Sequence, residues 1–196
     1  MRPTLWRMFK KSRRGRRGPD RCQAGMGLIE LMTSMTLLAV GLGGVMVMLT
    51  ASITTNGRNK LDTTSTAVAQ MVLEQVLAQP ANSSSNITAT DCNSAGAQTW
   101  TIATAGAASP GAGANVLSST GAVDYTQAYG SVPANYAMLF VACGANGQQV
   151  TYDVRWNVRT VTTYTRLVTV SARRVGAGNG SPIFSPPITL RSIGGI

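Results

Sequence analysis

The chain has 196 residues, room for one ordinary domain and an appendage, and carries a formal net charge of +10 with no histidine. Nine of its 17 Lys and Arg fall within residues 1–25 against the single acid Asp20, whereas beyond residue 25 eight basic groups face six acidic ones. The basicity is therefore a property of the N-terminus, which removes the charge argument for a nucleic-acid-binding body, and the missing histidine removes the usual general base and commonest metal ligand.

In chain order, the first element is the basic segment 1–25, ending in "FKKSRRGRRGPDRCQAG". Placed before an apolar run, it predicts cytoplasmic retention of the N-terminus and an outward C-terminal body. From Leu31 to Gly57 there is no charge, longer than the ~20 residues a helix needs to cross a hydrocarbon core of ~30 Å. A helix is the single-segment structure that satisfies its own backbone there, and Thr33, Ser34 and Thr36 are tolerable because hydroxyls bond back to the preceding turn. Three processing routes compete. "SRRGRR" departs from a twin-arginine signal because Arg16 and Arg17 stand where apolar residues belong. "LTAS" at Leu49–Ser52 is a poor signal-peptidase site after too long an apolar run. The third route cuts between Gly25 and Met26 and leaves the apolar segment 26–57 on the mature protein.

The helical pattern continues over residues 58–79. Leu61, Val68, Val72 and Val76, flanked by Ala69, Leu73 and Leu77, form an apolar stripe with Gln70 and Glu74 opposite, and Pro80 ends it. From Met26 to Gln79, at 1.5 Å per residue, the rod is roughly 80 Å long. Gly41, Gly43 and Gly44 interrupt its apolar half, each at a cost of about 1 kcal/mol against alanine, and suit close approach of neighbouring helices. The remaining 80–196 are expected to form a globular head. Residues 81–96 and 104–122 are small, polar and glycine-rich and read as loops. "AQTWTIA" and the apolar "YAMLFVAC" read as strands. In "VTYDVRWNV", Val150, Tyr152, Val154, Trp156 and Val158 alternate with Thr151, Asp153, Arg155 and Asn157. "YTRLVTVSARR" completes a hairpin, and after "GAGNGSP" the segment "PITLRSI" reads as an edge strand with Pro187 at its start. The predicted fold is α+β: a long N-terminal helix whose second half packs on a mainly antiparallel sheet of four to five strands.

The hexapeptide "GMGLIE", residues 25–30, closes the basic leader and opens the apolar run. It resembles the type III signal of prepilins of the type IV pilus and type II secretion families, with Gly25, Leu28, Ile29 and Glu30 where that pattern puts them. Met26 departs from the usual Phe and Gly27 from the usual Thr or Ser. The resemblance covers roughly residues 20–80, within which "AVGLGGVMVM" and "STAVAQMVLEQVLAQ" are closer to the PilV group of minor pilins than to major pilins. It implies removal of the leader by a prepilin peptidase/methyltransferase, methylation of the Met26 amine, and assembly with other pilins into a filament, as well as a ladle-shaped pilin fold. An acid in lipid costs about 2.5–3.5 kcal/mol on insertion scales and usually has a partner. Glu30, four residues after Met26 on the same helical face, is placed to meet a neighbouring subunit's Met26 amine. The alternative is an acid favoured at a helix N-terminus and snorkelling to the interface.

No nucleophile elbow, phosphate loop or calcium loop is present, and Asp91, Asp124 and Asp153 are scattered. The expectation is a non-enzyme without catalytic residues, cofactor or metal. Arg155, Arg159, Arg166, Arg173 and Arg174 near Tyr152, Trp156 and Tyr164 invite a nucleic-acid reading. Alternation turns Tyr152 and Trp156 away from Arg155, so an ordinary solvated sheet face is preferred. Of the three cysteines, Cys22 lies in the leader, leaving Cys92 and Cys143 in an oxidising compartment as a predicted disulfide. The functional expectation is a minor pilin-like structural subunit, single-pass in the inner membrane and then in a periplasmic or cell-surface filament. A type II secretion pseudopilin, or a filament-borne pilin that binds DNA or a surface, is the alternative.

Overall fold

The computed structural model describes residues 27–144, 147–176 and 186–195. Gly25, Met26, Cys22 and most of the "GAGNGSP" breaker lie outside them. A boundary between two structural units falls between Met48 and Leu49.

Helix α1 runs Leu28–Leu77. Along it the Ser and Thr hydroxyls are absorbed by the helix itself: Thr33 Oγ1 and Ser34 Oγ donate to the Glu30 carbonyl at 3.0 and 2.6 Å, and Thr36 Oγ1 donates to Thr33 O at 2.8 Å. These bonds satisfy the three hydroxyls within the helix itself, as an apolar setting demands. Every large apolar side chain from Leu28 to Ile53 is more than half exposed. The helix ends three residues before Pro80, in a last turn where Ala78 N–H reaches Glu74 O and Gln79 N–H reaches Val76 O. The predicted stripe is the buried one, with Val68, Ala69, Val72 and Val76 in the core while Gln70 and Glu74 are exposed.

That stripe lies against an antiparallel sheet built of β3 (Ala112–Gly113), β4 (Ala137–Cys143), β5 (Gln149–Thr162), β6 (Thr165–Arg174) and β7 (Ile188–Gly195). The order is β3-β5-β6-β7, with β4 also paired to β5. β4 occupies the edge of β5 up to Arg155, and β3 takes over the same edge at Asn157 and Val158. That takeover requires glycine at position 113. Its φ is +106°, and a Cβ there would stand 2.3 Å from the Trp156 carbonyl and 2.5 Å from the Tyr136 ring. β1 (Ile87–Thr90) and β2 (Thr99–Ile102) form a separate two-stranded antiparallel sheet. β1 corrects the expectation that residues 81–96 are all loop: the short "ITAT" is paired residue for residue with "TWTI", a register its own composition does not advertise.

The alternation of β5 holds. Tyr152, Val154, Trp156 and Val158 join Met138 of β4 and Val168, Val170 and Ala172 of β6 in the core with the α1 stripe. Yet Asp153, Arg155 and Asn157 are also buried, at 5, 2 and 5% exposure. The solvated outer face expected there is not solvated, because the chain between β2 and β4 folds over it. Asn157 Nδ2 donates to Ala114 O at 2.9 Å, Arg155 Nη1 to Gln127 O at 2.6 Å, and Tyr125 Oη to Asp153 O at 3.0 Å. A small, polar segment makes a cover because the polar face below supplies partners for its backbone.

Cys92 and Cys143 are joined by a disulfide with Cα atoms 6.1 Å apart, which ties the loop after β1 to the end of β4. Closing a segment of this length stabilises by about 4 kcal/mol in the chain-entropy picture. The neighbouring Asp91 organises the same loop. Its Oδ1 accepts from the N–H groups of Asn93 and Gln98, and its Oδ2 accepts from the Trp100 indole at 3.2 Å. Burial alone pushes this carboxyl up, but the bonds from Gln98, Trp100 and Asn93 outweigh it and hold it below the usual carboxylate range. A pKa lower in the folded than in the unfolded chain gives stability that is complete above the unfolded value of about 3.9 and is lost as pH falls through the folded one. Asp91→Asn is therefore expected to flatten the acid limb of stability below about pH 4, read as urea midpoints at several pH values. An equally steep limb in the variant would place that proton uptake elsewhere.

Candidate functional site

The first candidate is the start of α1. Glu30 sits in its first turn, exposed, with its N–H donating to Gly27 O at 2.9 Å. Leu28 and Ile29 beside it are 78 and 73% exposed. Among the described residues the Glu30 carboxylate has no cationic partner within salt-bridge distance. Gly25 and Met26, the other halves of the predicted processing and assembly pairs, lie outside the described residues. Downstream, a Cβ added at Gly41, Gly43 or Gly44 would meet nothing within 4 Å. A helix that is apolar all round and bare must be covered by lipid or by other helices, and it is the one described helix long and apolar enough to cross a membrane.

The second candidate is the buried charge beneath the cover. Arg155 Nε and Nη2 make a bidentate pair with Asp153 at 2.9 and 2.8 Å, and Arg173 Nη2 approaches the same carboxylate at 3.3 Å. Both guanidinium groups stand over the Tyr125 ring, Arg155 at 4.8 Å and Arg173 at 4.2 Å from its centroid, with the Tyr129 ring 5.7 Å from Arg155. Burial pushes the Tyr125 hydroxyl far above its ordinary value, so it stays protonated and donates. Aromatics do therefore accompany the arginines, but Tyr125 and Tyr129 come from the cover, 30 and 26 residues before Arg155, and not from the strand. Arg155 itself is consumed by its three bonds. A cavity of about 570 Å³ opens beside the cluster, yet the arrangement first serves to clamp the cover on the sheet. Nothing in it pairs a nucleophile with a base.

Arg166, counted among surface arginines on sequence, is 1% exposed. It stands opposite Thr160 on the α1 side of the sheet, donating to the carbonyls of Val76, Gln79 and Thr104. Its parity with Val168, Val170 and Ala172 was the available signal.

A family model described as the prokaryotic N-terminal methylation motif matches residues 20–46. No curated protein and no solved structure matches the chain. The matched segment contains the Gly25–Glu30 hexapeptide and the first turns of α1. Followed by the rest of that apolar helix and by an antiparallel sheet, it fits the pattern of type IV pilins and pseudopilins.

Proposed function

We propose that this chain, with its N-terminal methylation motif ahead of a long bare apolar helix, is a minor pilin-like structural subunit of a type IV pilus filament. Its leader 1–25 is removed by prepilin peptidase between Gly25 and Met26, and the new amine is methylated. Residues 26–57 hold it in the inner membrane with the 80–196 head outward, and then enter the filament core. Leu28, Ile29 and Glu30 complete the processing signal. The observation that carries this reading is Glu30: a carboxylate with no cationic partner among the described residues, on a helix with no cover, within the matched motif. A neighbouring subunit's Met26 amine neutralises it, and neutralising both charges in a dry setting makes register selective. Gly41, Gly43 and Gly44, with open space where a Cβ would stand, let neighbouring helices approach. A type II secretion pseudopilin shares every one of these features and remains the second reading.

Mature protein extracted from membranes is expected to begin at methylated Met26 by intact mass, and Gly25→Val to leave the precursor uncut. Glu30→Val is expected to insert in the membrane as well as the parent while its share in sheared filaments falls at least tenfold, a loss of about 1.4 kcal/mol or more in selective assembly. A mature chain starting near Ser52 would sink the anchor. Undiminished incorporation of the Glu30 variant would reduce that acid to a helix-end residue.

A further inference from the structure

The uncharged run of α1 ends at Gly57, and just beyond it a cavity of about 520 Å³ opens beside the helix. It is lined by Lys60 and Thr64 of α1, by Gln149 and Tyr152 of β5, and by Arg174 at the end of β6. Lys60, Arg174 and the Gln149 side-chain amide face this space, and among the described residues no carboxylate lines it. The Tyr152 side chain is fully buried, which pushes its hydroxyl above its ordinary value, and Asp62 does not line the cavity. A lysine ammonium and an arginine fork beside a side-chain amide make a set suited to a phosphate oxyanion; the Thr64 hydroxyl does not add to it, since it donates to Lys60 O at 2.9 Å.

The cavity's place along the helix identifies where that phosphate comes from. From Leu31 to Gly57 there are 27 uncharged residues, which at ~1.5 Å each cover ~40 Å. A bilayer's hydrocarbon core is ~30 Å thick, and ~40–45 Å with the headgroup layers. A helix that enters lipid at Glu30 thus reaches the phosphates of the far leaflet at Lys60. Resting on the membrane-anchored reading above, we propose that the cleft between Lys60 and Arg174 binds the phosphodiester of an anionic phospholipid in the leaflet that faces the head. The bound lipid holds the membrane-proximal end of the head against the bilayer surface until the helix is withdrawn for assembly.

The test reconstitutes full-length mature protein into nanodiscs of equimolar phosphatidylglycerol and phosphatidylcholine and counts retained lipids by native mass spectrometry. Each cation near the surface favours an anionic headgroup about fivefold, so an enrichment of roughly 25-fold is expected for the parent. Lys60→Gln or Arg174→Gln should each reduce it to about fivefold, and the double variant to near parity. Equal retention of the two lipids by the parent overturns the proposal, as does enrichment that survives in the double variant. Calorimetric titration of the detergent-solubilised protein with inorganic phosphate separates the sources: phosphate binding without lipid preference makes the cleft a free-anion site and overturns the lipid assignment. Extraction of the mature chain from membranes by alkaline carbonate would overturn the anchor itself, and the lipid site with it.

Discussion

Arg166→Met is expected to lower the stability of the folded head by about 3–5 kcal/mol, a large part of the 5–15 kcal/mol typical of a whole domain. The last turn of α1 contains no basic residue, so the carbonyls that a helix leaves unpaired at its C-terminus need donors from elsewhere. Arg166 supplies them from β6, donating to Val76 O and Gln79 O and also to Thr104 O in the segment after β2. Its positive charge also complements the negative end of the helix dipole. Burial lowers its pKa, but a guanidinium starts so high that it stays charged at any ordinary pH. Methionine fills much of the same volume and makes none of the three bonds; Val76 O keeps the Gln79 N–H, but Gln79 O and Thr104 O lose the donor that Arg166 gives them. Arg166→Lys keeps the charge but not the fork, and about half of the loss is expected. Urea unfolding followed by tryptophan fluorescence measures both; a loss below about 1 kcal/mol for the methionine variant would place it among ordinary surface substitutions and refute the capping role.

Asp153→Asn is expected to cost about 3–5 kcal/mol, because it strands the buried Arg155 guanidinium, 2% exposed, without its counter-charge. The loss should be local in its first effect. Arg155 Nη1 holds Gln127 O and Asp153 O holds the Tyr125 hydroxyl, so amide protection over residues 124–129 is expected to fall before that of β5 and β6. The double variant Asp153→Leu with Arg155→Leu should lose less than the sum of the single changes, since it leaves no uncompensated charge. Additive losses in that cycle would show that the pair does not couple, and unchanged exchange at Gln127 would remove it as the clamp.

Much of the α+β layout was legible because it is written as one-dimensional period. Val68, Val72 and Val76 recur at helical spacing and are buried as that spacing demands, and the alternation from Val150 to Val158 sorts the two faces of β5. β1 was not legible, since a four-residue run set in a small, polar stretch becomes a strand only through pairing with β2. The same limit hid the clamp: Tyr125 and Gln127 reach Arg155 from a stretch without period, so no local pattern joined them.

By itself, then, the sequence determined the methylation motif and the long apolar helix. A basic segment, the hexapeptide ending in Glu30 and the uncharged run to Gly57 are contiguous, and contiguous signals need no folding to be read. What only the tertiary structure decided is which charges see water. Alternation states that Arg155 and Tyr152 face opposite sides, but whether a side is solvent or interior depends on what covers it. Here the segment between β2 and β4 buries the Asp153–Arg155 pair, and the end of α1 takes up Arg166. The energy of a charge is set by the groups brought around it in space, and those lie tens of residues away along the chain.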